Sequence, residues 1–176
     1  MERRERLRLF CALRLPDDVL DGIVAWGGGH LRERIVSRPN LHITLAFLGH
    51  RPAEELNSIV AATGEAAGGA APIRLEPVGY RETRSVGMLV LSDEGGAATR
   101  LAEDLHTRLE ALGVYERERR RWLPHLTVVR FRQRPRLDPP LPELGPFSPS
   151  DAAVYLSRLR PGGAQYEVVQ SFALGG

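Results

Sequence analysis

Two short segments of this chain carry the same four-residue pattern, and that repetition limits the possible folds more than any other feature. His42-Ile43-Thr44-Leu45 is the first copy, and His125-Leu126-Thr127-Val128 begins 125 − 42 = 83 residues later. Each copy follows a proline-containing turn (Pro39, Pro124) and opens an apolar run that reads as a strand. Side chains in a strand alternate between faces, so residues i and i+2 point the same way. His42 and Thr44 therefore share a face, with Ile43, Leu45 and Phe47 expected on the other. His125 and Thr127 stand in the same relation to Leu126 and Val128. A chance match to one such tetrapeptide is on the order of a per cent per chain, and two are far rarer. A duplicated unit with a pseudo-twofold axis explains both copies and would bring their polar faces together across a cleft.

The remaining segments supply a frame for those strands. Leu7–Leu15 reads as a mostly buried strand, and Pro16-Asp17-Asp18 as a helix start with proline in the first turn and acids on the positive end of the dipole. That helix is expected to reach the low thirties, weakened at Gly27-Gly28-Gly29. A second helix is expected from Pro52 to about Ala67. Strands follow over 73–80 and 86–92, then a helix over 97–112 with Leu101, Leu105, Leu109 and Leu112 at helical spacing. A proline-rich loop over 134–149 precedes two closing strands, 151–159 and 166–174. Several strands are joined by short turns and so pair antiparallel, which makes the class α+β.

With 176 residues and 43% apolar side chains the chain can bury a core without staples, and residues 1–176 read as a single domain of two interleaved lobes. The lone Cys11 lies in an apolar run and reads as a buried structural thiol, in keeping with a reducing cytoplasm. The opening residues, Met1 to Arg6, carry charges of both signs ahead of a short apolar run, which fits neither a secretory signal nor a membrane span. Net charge is only +2, yet all 24 basic residues are arginine, whose planar fork binds phosphate bidentately. Arg117, Arg119, Arg120, Arg121, Arg130, Arg132, Arg134 and Arg136 cluster around His125 in sequence, which points to an anionic substrate.

Paired histidines suit in-line attack on a phosphodiester. One takes a proton from water and the other gives a proton to the leaving oxygen, on opposite sides of phosphorus. Imidazole titrates near neutrality, so one ring can be neutral while the other is charged. The Thr44 and Thr127 hydroxyls can donate to the non-bridging oxygens. Arg130, five residues beyond His125, faces away from it in a regular strand and reaches phosphate only where the strand bulges or ends. Zinc takes at least three protein ligands, and no Cys-x-x-Cys or His-Glu-x-x-His pattern supplies them. Gly27-Gly28-Gly29 lacks the Lys-Ser/Thr of a nucleotide-binding loop. His30, His50 and His106 lack the context of the paired motifs and read as surface residues.

These paired His-x-Thr motifs resemble the 2H phosphoesterase superfamily, and within it the RNA 2′,3′-cyclic phosphodiesterases, also called 2′-5′ RNA ligases. The likeness extends over nearly the whole chain: residues 8–13 resemble the first strand, 38–49 and 124–130 the two motifs, and 154–166 the closing strand pair. Residues 80–89 depart from the pattern, lacking the usual proline and aromatic stretch. The resemblance implies a bilobal α+β fold with a central cleft between two antiparallel sheets, helices outside, and neither metal nor cofactor. It implies His42 as proton donor to the departing 3′ oxygen and His125 as proton acceptor from water. Thr44, Thr127 and Arg130 would hold the phosphate. The expected substrate is RNA ending in a 2′,3′-cyclic phosphate, or a small cyclic nucleotide, handled by a cytoplasmic monomer with no membrane partner. A non-catalytic RNA-end binder remains the alternative, as does a 2H enzyme acting on another cyclic phosphate or a 2′-5′ linkage.

Overall fold

A computed structural model describes residues 4–32 and 34–175. The first three residues of the charged N-terminus, read above as excluding a signal segment, lie outside that range. The strands are β1 (Arg6–Arg14), β2 (Arg34–Ile35), β3 (Ile43–Pro52), β4 (Leu75–Glu82), β5 (Val86–Asp93), β6 (His125–Arg130), β7 (Asp151–Arg160) and β8 (Gly163–Ala173). Among the described residues three α-helices accompany them: α1 (Asp17–His30), α2 (Leu56–Gly68) and α3 (Ala97–Ala111). One four-stranded sheet has the order β3-β1-β7-β8 and the other β2-β6-β5-β4, with every pairing antiparallel. The α+β expectation with two antiparallel sheets holds. The first sheet draws on both ends of the chain and the second on its middle, so the halves interleave in sequence. The two-residue β2 was not foreseen, since Arg34-Ile35 is too short to show any alternation.

Each helix forms where its apolar residues can face a sheet. α1 continues through Gly27-Gly28-Gly29 because Val19, Ile23 and Trp26 bury one stripe of it, and that packing outweighs the roughly 1 kcal/mol per glycine lost in propensity. The Trp26 indole also donates to Pro140 O at 2.7 Å, pinning the proline-rich loop against the helix. α3 begins where Gly95 and Gly96 adopt left-handed conformations (φ 78° and 76°) and turn the chain out of β5. The Asp93 carboxylate accepts from the backbone N–H groups of Ala98 and Thr99, satisfying donors that have no partner within the first turn. Leu101, Leu105 and Leu109 are buried along its inner face. α3 meets β3 of one sheet and β5 of the other, so it bridges the two halves.

The main core fills the face of the sheets covered by helices: Leu9, Cys11 and Leu13 from β1, Leu89 and Leu91 from β5, and Leu126 and Val128 from β6 join residues of all three helices. Cys11 is buried as expected; its thiol contacts Thr63 Oγ1 at 3.4 Å, and burial pushes it up to about 11. His106 is a correction. It is 5% exposed, not on the surface, and its Nε2–H donates to Leu45 O at 2.7 Å. Helical spacing put it beside Leu105 and Leu109, and the carbonyl partner makes its burial tolerable. Among the described residues no helix is long and apolar enough to cross a membrane.

Candidate active site

His42 sits just ahead of β3, and His125 is the first residue of β6. β3 and β6 approach one another where the two sheets meet, and the Trp122 indole donates to Thr44 O at 3.1 Å across that junction. The two histidines are held alike. His42 Nδ1 lies 2.8 Å from Asn40 O, and His125 Nδ1 lies 2.9 Å from Leu123 O, each the carbonyl two residues earlier. A carbonyl only accepts, so each Nδ1 carries the hydrogen and each Nε2 is left for other chemistry. His42 Nε2 is 2.9 Å from Thr44 Oγ1. The segment leading to His42 is itself tied down. Arg38 forms ion pairs with Asp17 and Asp21 of α1, and the Asn40 amide donates to Ala164 O of the β7–β8 hairpin.

Both strands bulge at the same place. Along β6 the register with β5 skips from Thr127 to Val129, leaving Val128 as an extra residue. Val128 and Val129 are both buried, and Arg130 emerges on the face of His125 and Thr127. The strand thus bulges between His125 and Arg130, the departure from alternation on which the expectation for Arg130 depended. Along β3 the register with β1 skips Leu45, and Leu45 and Ala46 are both buried. Phe47 then emerges on the side of His42 and Thr44, half exposed. This corrects its expected place on the opposite face: strict alternation holds only as far as the bulge. The sixth residue of each motif thus emerges on the face of its histidine, a phenylalanine in one half and an arginine in the other. The bulge in β3 is stabilised from outside its ladder, since Thr44 O and Leu45 O accept from the Trp122 and His106 rings.

His42 rests on an aromatic bed that sequence reading missed. Phe10, Tyr155 and Tyr166 lie 4.8, 5.9 and 5.4 Å from it, ring centre to ring centre. Alternation along β1 carries the signal, because Phe10 has the opposite parity to the core residues Leu9, Cys11 and Leu13. Burial among these rings lowers His42 from the ordinary 6.5 to about 4, and the positive charges of Arg130 and His125 push the same way. The Asn40 carbonyl works in the other direction. With its pKa lowered to about 4, His42 is neutral at pH 7, and its Nε2 lone pair accepts from the Thr44 hydroxyl.

The arginine cluster of the sequence divides in space. Arg117 is tied to Glu110 and Thr107 along α3, and Arg134 pairs with Glu82. Arg130 has no acidic partner among the described residues. No group of three or more His, Cys, Asp or Glu side chains among the described residues could hold a metal ion.

Residues 15–161 match the 2′-5′ RNA ligase superfamily. A Thermus thermophilus protein named RNA 2′,3′-cyclic phosphodiesterase is 32% identical over 190 residues, spanning 97% of this chain and 91% of its own. The protein of that name from Escherichia coli is 26% identical over 173 residues, spanning 97% and 98%. Among solved structures, a Thermus thermophilus protein superposes with a TM-score of 0.83 at 30% identity, over 97% of this chain and 99% of its own. Escherichia coli LigT complexed with 3′-AMP superposes with a TM-score of 0.82 at 25% identity, over 98% and 100%. Matched at this length in both sequence and fold, the chain belongs to the 2′-5′ RNA ligase superfamily, the 2H phosphoesterases.

Proposed function

We propose that this protein hydrolyses the 2′,3′-cyclic phosphate at an RNA end to a 2′-phosphomonoester, without a metal, using His42 and His125 as the proton-transfer pair. The observation that carries this is the matched fixing of the two rings: each Nδ1–H is spent on a carbonyl two residues back, which leaves two Nε2 atoms for one phosphorus. In the proposed step His125 Nε2 takes a proton from water as the water oxygen bonds to phosphorus. The P–O3′ bond breaks, and His42 Nε2–H delivers its proton to O3′. Thr44, Thr127 and Arg130 hold the non-bridging oxygens, where charge builds in the transition state.

His42 can donate only when it is charged, and the bound phosphate supplies the reason for it to be. One negative charge about 4 Å away favours the imidazolium by about 4 kcal/mol at an effective dielectric near 20. Once Nε2 carries a hydrogen it no longer accepts from Thr44, and the Thr44 hydroxyl is released to donate to phosphate. Substrate arrival would then arm both groups at once.

The test is incubation of the protein with a 2′,3′-cyclic mononucleotide and with a cyclic-phosphate-ended oligonucleotide, in the presence of a chelator, with identification of the product isomer. The 2′-phosphate is expected. His42→Ala and His125→Ala should each remove most turnover while leaving the fold intact, and full activity in either variant ends the proposal. Substrate recovered unchanged but tightly bound would favour the RNA-end binder instead.

A further inference from the structure

Arg130 is not the last cation on its side of the cleft. In the β2–β6 pairing its Cα partner is Arg34, one strand further out. Beyond both lies a groove of about 530 Å³ lined by Arg34, Arg132, Gln133, Arg134 and Pro135. Arg34 and Arg132 are exposed, and no carboxylate among the described residues pairs with either. Arg34, which lines the groove, thus sits one strand spacing, about 4.8 Å, from the backbone of the proposed phosphate-holding Arg130, and the groove carries further positive charge.

Its far wall is built rather than loose. Glu82 is buried, its side chain only 2% exposed, and it is the anchor of the segment that carries Arg132, Gln133 and Arg134. Its carboxylate accepts from the Tyr80 hydroxyl at 2.7 Å, Leu137 N at 2.9 Å and Arg134 Nε at 3.4 Å. At the near end Phe131 N donates to Ser85 O at 3.0 Å, and Arg136 turns the chain through a left-handed conformation at φ 59°. Tyr80 reaches Glu82 by passing over Gly87, where a Cβ would come within 2.4 Å of its hydroxyl. A segment fixed at both ends and carrying cations that face solvent is preorganised for an extended anion.

We propose that this groove binds the phosphodiester backbone of the nucleotides just upstream of the cyclic end, so that the protein prefers RNA chains to cyclic mononucleotides. This rests on the proposed reaction at the two histidines and adds to it the class of substrate. A single-stranded backbone tracked by arginines fits the groove, because such binding needs spaced cations and no base readout.

The experiment compares a cyclic mononucleotide with a cyclic-phosphate-ended tetranucleotide, using the full chain and the double variant Arg34→Gln/Arg132→Gln. Lost phosphate contacts should raise KM for the tetranucleotide by about 10-fold or more, with mononucleotide kinetics unaltered. The slope of log kcat/KM against log salt for the tetranucleotide should become shallower by about 0.7 per arginine removed. Glu82→Gln, which weakens the anchor while keeping both arginines, should raise KM for the tetranucleotide alone. An unchanged tetranucleotide KM in the double variant, or equal losses on both substrates, overturns the groove. Fluorescence anisotropy with a labelled 3′-phosphate-ended tetranucleotide separates the two proposals. Arginine-dependent binding without turnover sinks the reaction and keeps the groove, and turnover with arginine-independent binding does the reverse.

Discussion

The most informative perturbation is to place an anion between the two motifs and follow the His42 proton. With burial holding His42 at about 4, roughly one molecule in a hundred carries the imidazolium at pH 6. A unit negative charge about 4 Å from Nε2 offers about 4 kcal/mol at an effective dielectric near 20. That is worth about 3 pKa units, enough to bring His42 close to 7 and leave about nine molecules in ten protonated at pH 6. Sulfate is a suitable probe because it does not itself titrate between pH 4 and 8. Histidine-labelled protein would be titrated by NMR with and without sulfate, using His42→Asn to assign the signal. The same shift has a stability consequence of definite sign. The folded value lies below the 6.5 of the unfolded chain, so unfolded molecules take up the proton first as pH falls. Stability contributed by the neutral ring is present above about 6.5 and is lost between 6.5 and about 4. The upper limit of that loss is about 3 kcal/mol, reduced because His42 is only partly shielded from solvent. His42→Asn should accordingly flatten the stability profile over this window. A His42 signal titrating near 6.5 in the free protein, or one unmoved by sulfate, would refute the account of how the donor is armed.

Other expectations follow from single contacts. His106→Ala removes the donor to Leu45 O at the β3 bulge; it should cost about 1–3 kcal/mol in urea unfolding and lower kcat, whereas His106→Gln, which keeps a donor, should recover part of both. Gly87→Ala would put a methyl 2.4 Å from the Tyr80 hydroxyl and 2.6 Å from Val129 Cγ1, an overpacking that should cost about 1–3 kcal/mol by the same assay. Leu105→Ala, at a fully buried position, should cost about 2–5 kcal/mol. Cys11, pushed up to about 11 by burial, should resist alkylation at pH 8 in the folded protein and react promptly in denaturant; prompt labelling of native protein would contradict its burial.

How far the sequence foretold this molecule depended on whether the deciding interaction was local. The two His-x-Thr strands were legible because alternation and the preceding prolines are nearest-neighbour properties. α3 was legible because four leucines, Leu101, Leu105, Leu109 and Leu112, keep helical spacing over about three turns. Arg130 was legible only as a condition: whether it faces the cleft turns on one extra residue in β6. That residue, Val128, is as apolar as its neighbours and carries no local mark of a bulge. Phe47 was misplaced for the same reason at Leu45. His106 was misread because its partner, Leu45 O, lies 61 residues away in sequence, and no local pattern announces a carbonyl left over by a bulge. β2 escaped because its pairing with Val129 and Arg130 is tertiary. The aromatic bed under His42 gathers β1, β7 and β8, three segments whose adjacency only sheet order reveals.

The two bulges make Phe47 and Arg130 counterparts, one in each motif. In the proposed reaction, the way round that the ribose enters decides which oxygen leaves and so which isomer forms. A flat hydrocarbon beside one motif and a guanidinium beside the other would favour one entry, with sugar and base against the first and phosphoryl oxygens against the second. On that reading, a single position in each motif helps decide which way round the substrate lies.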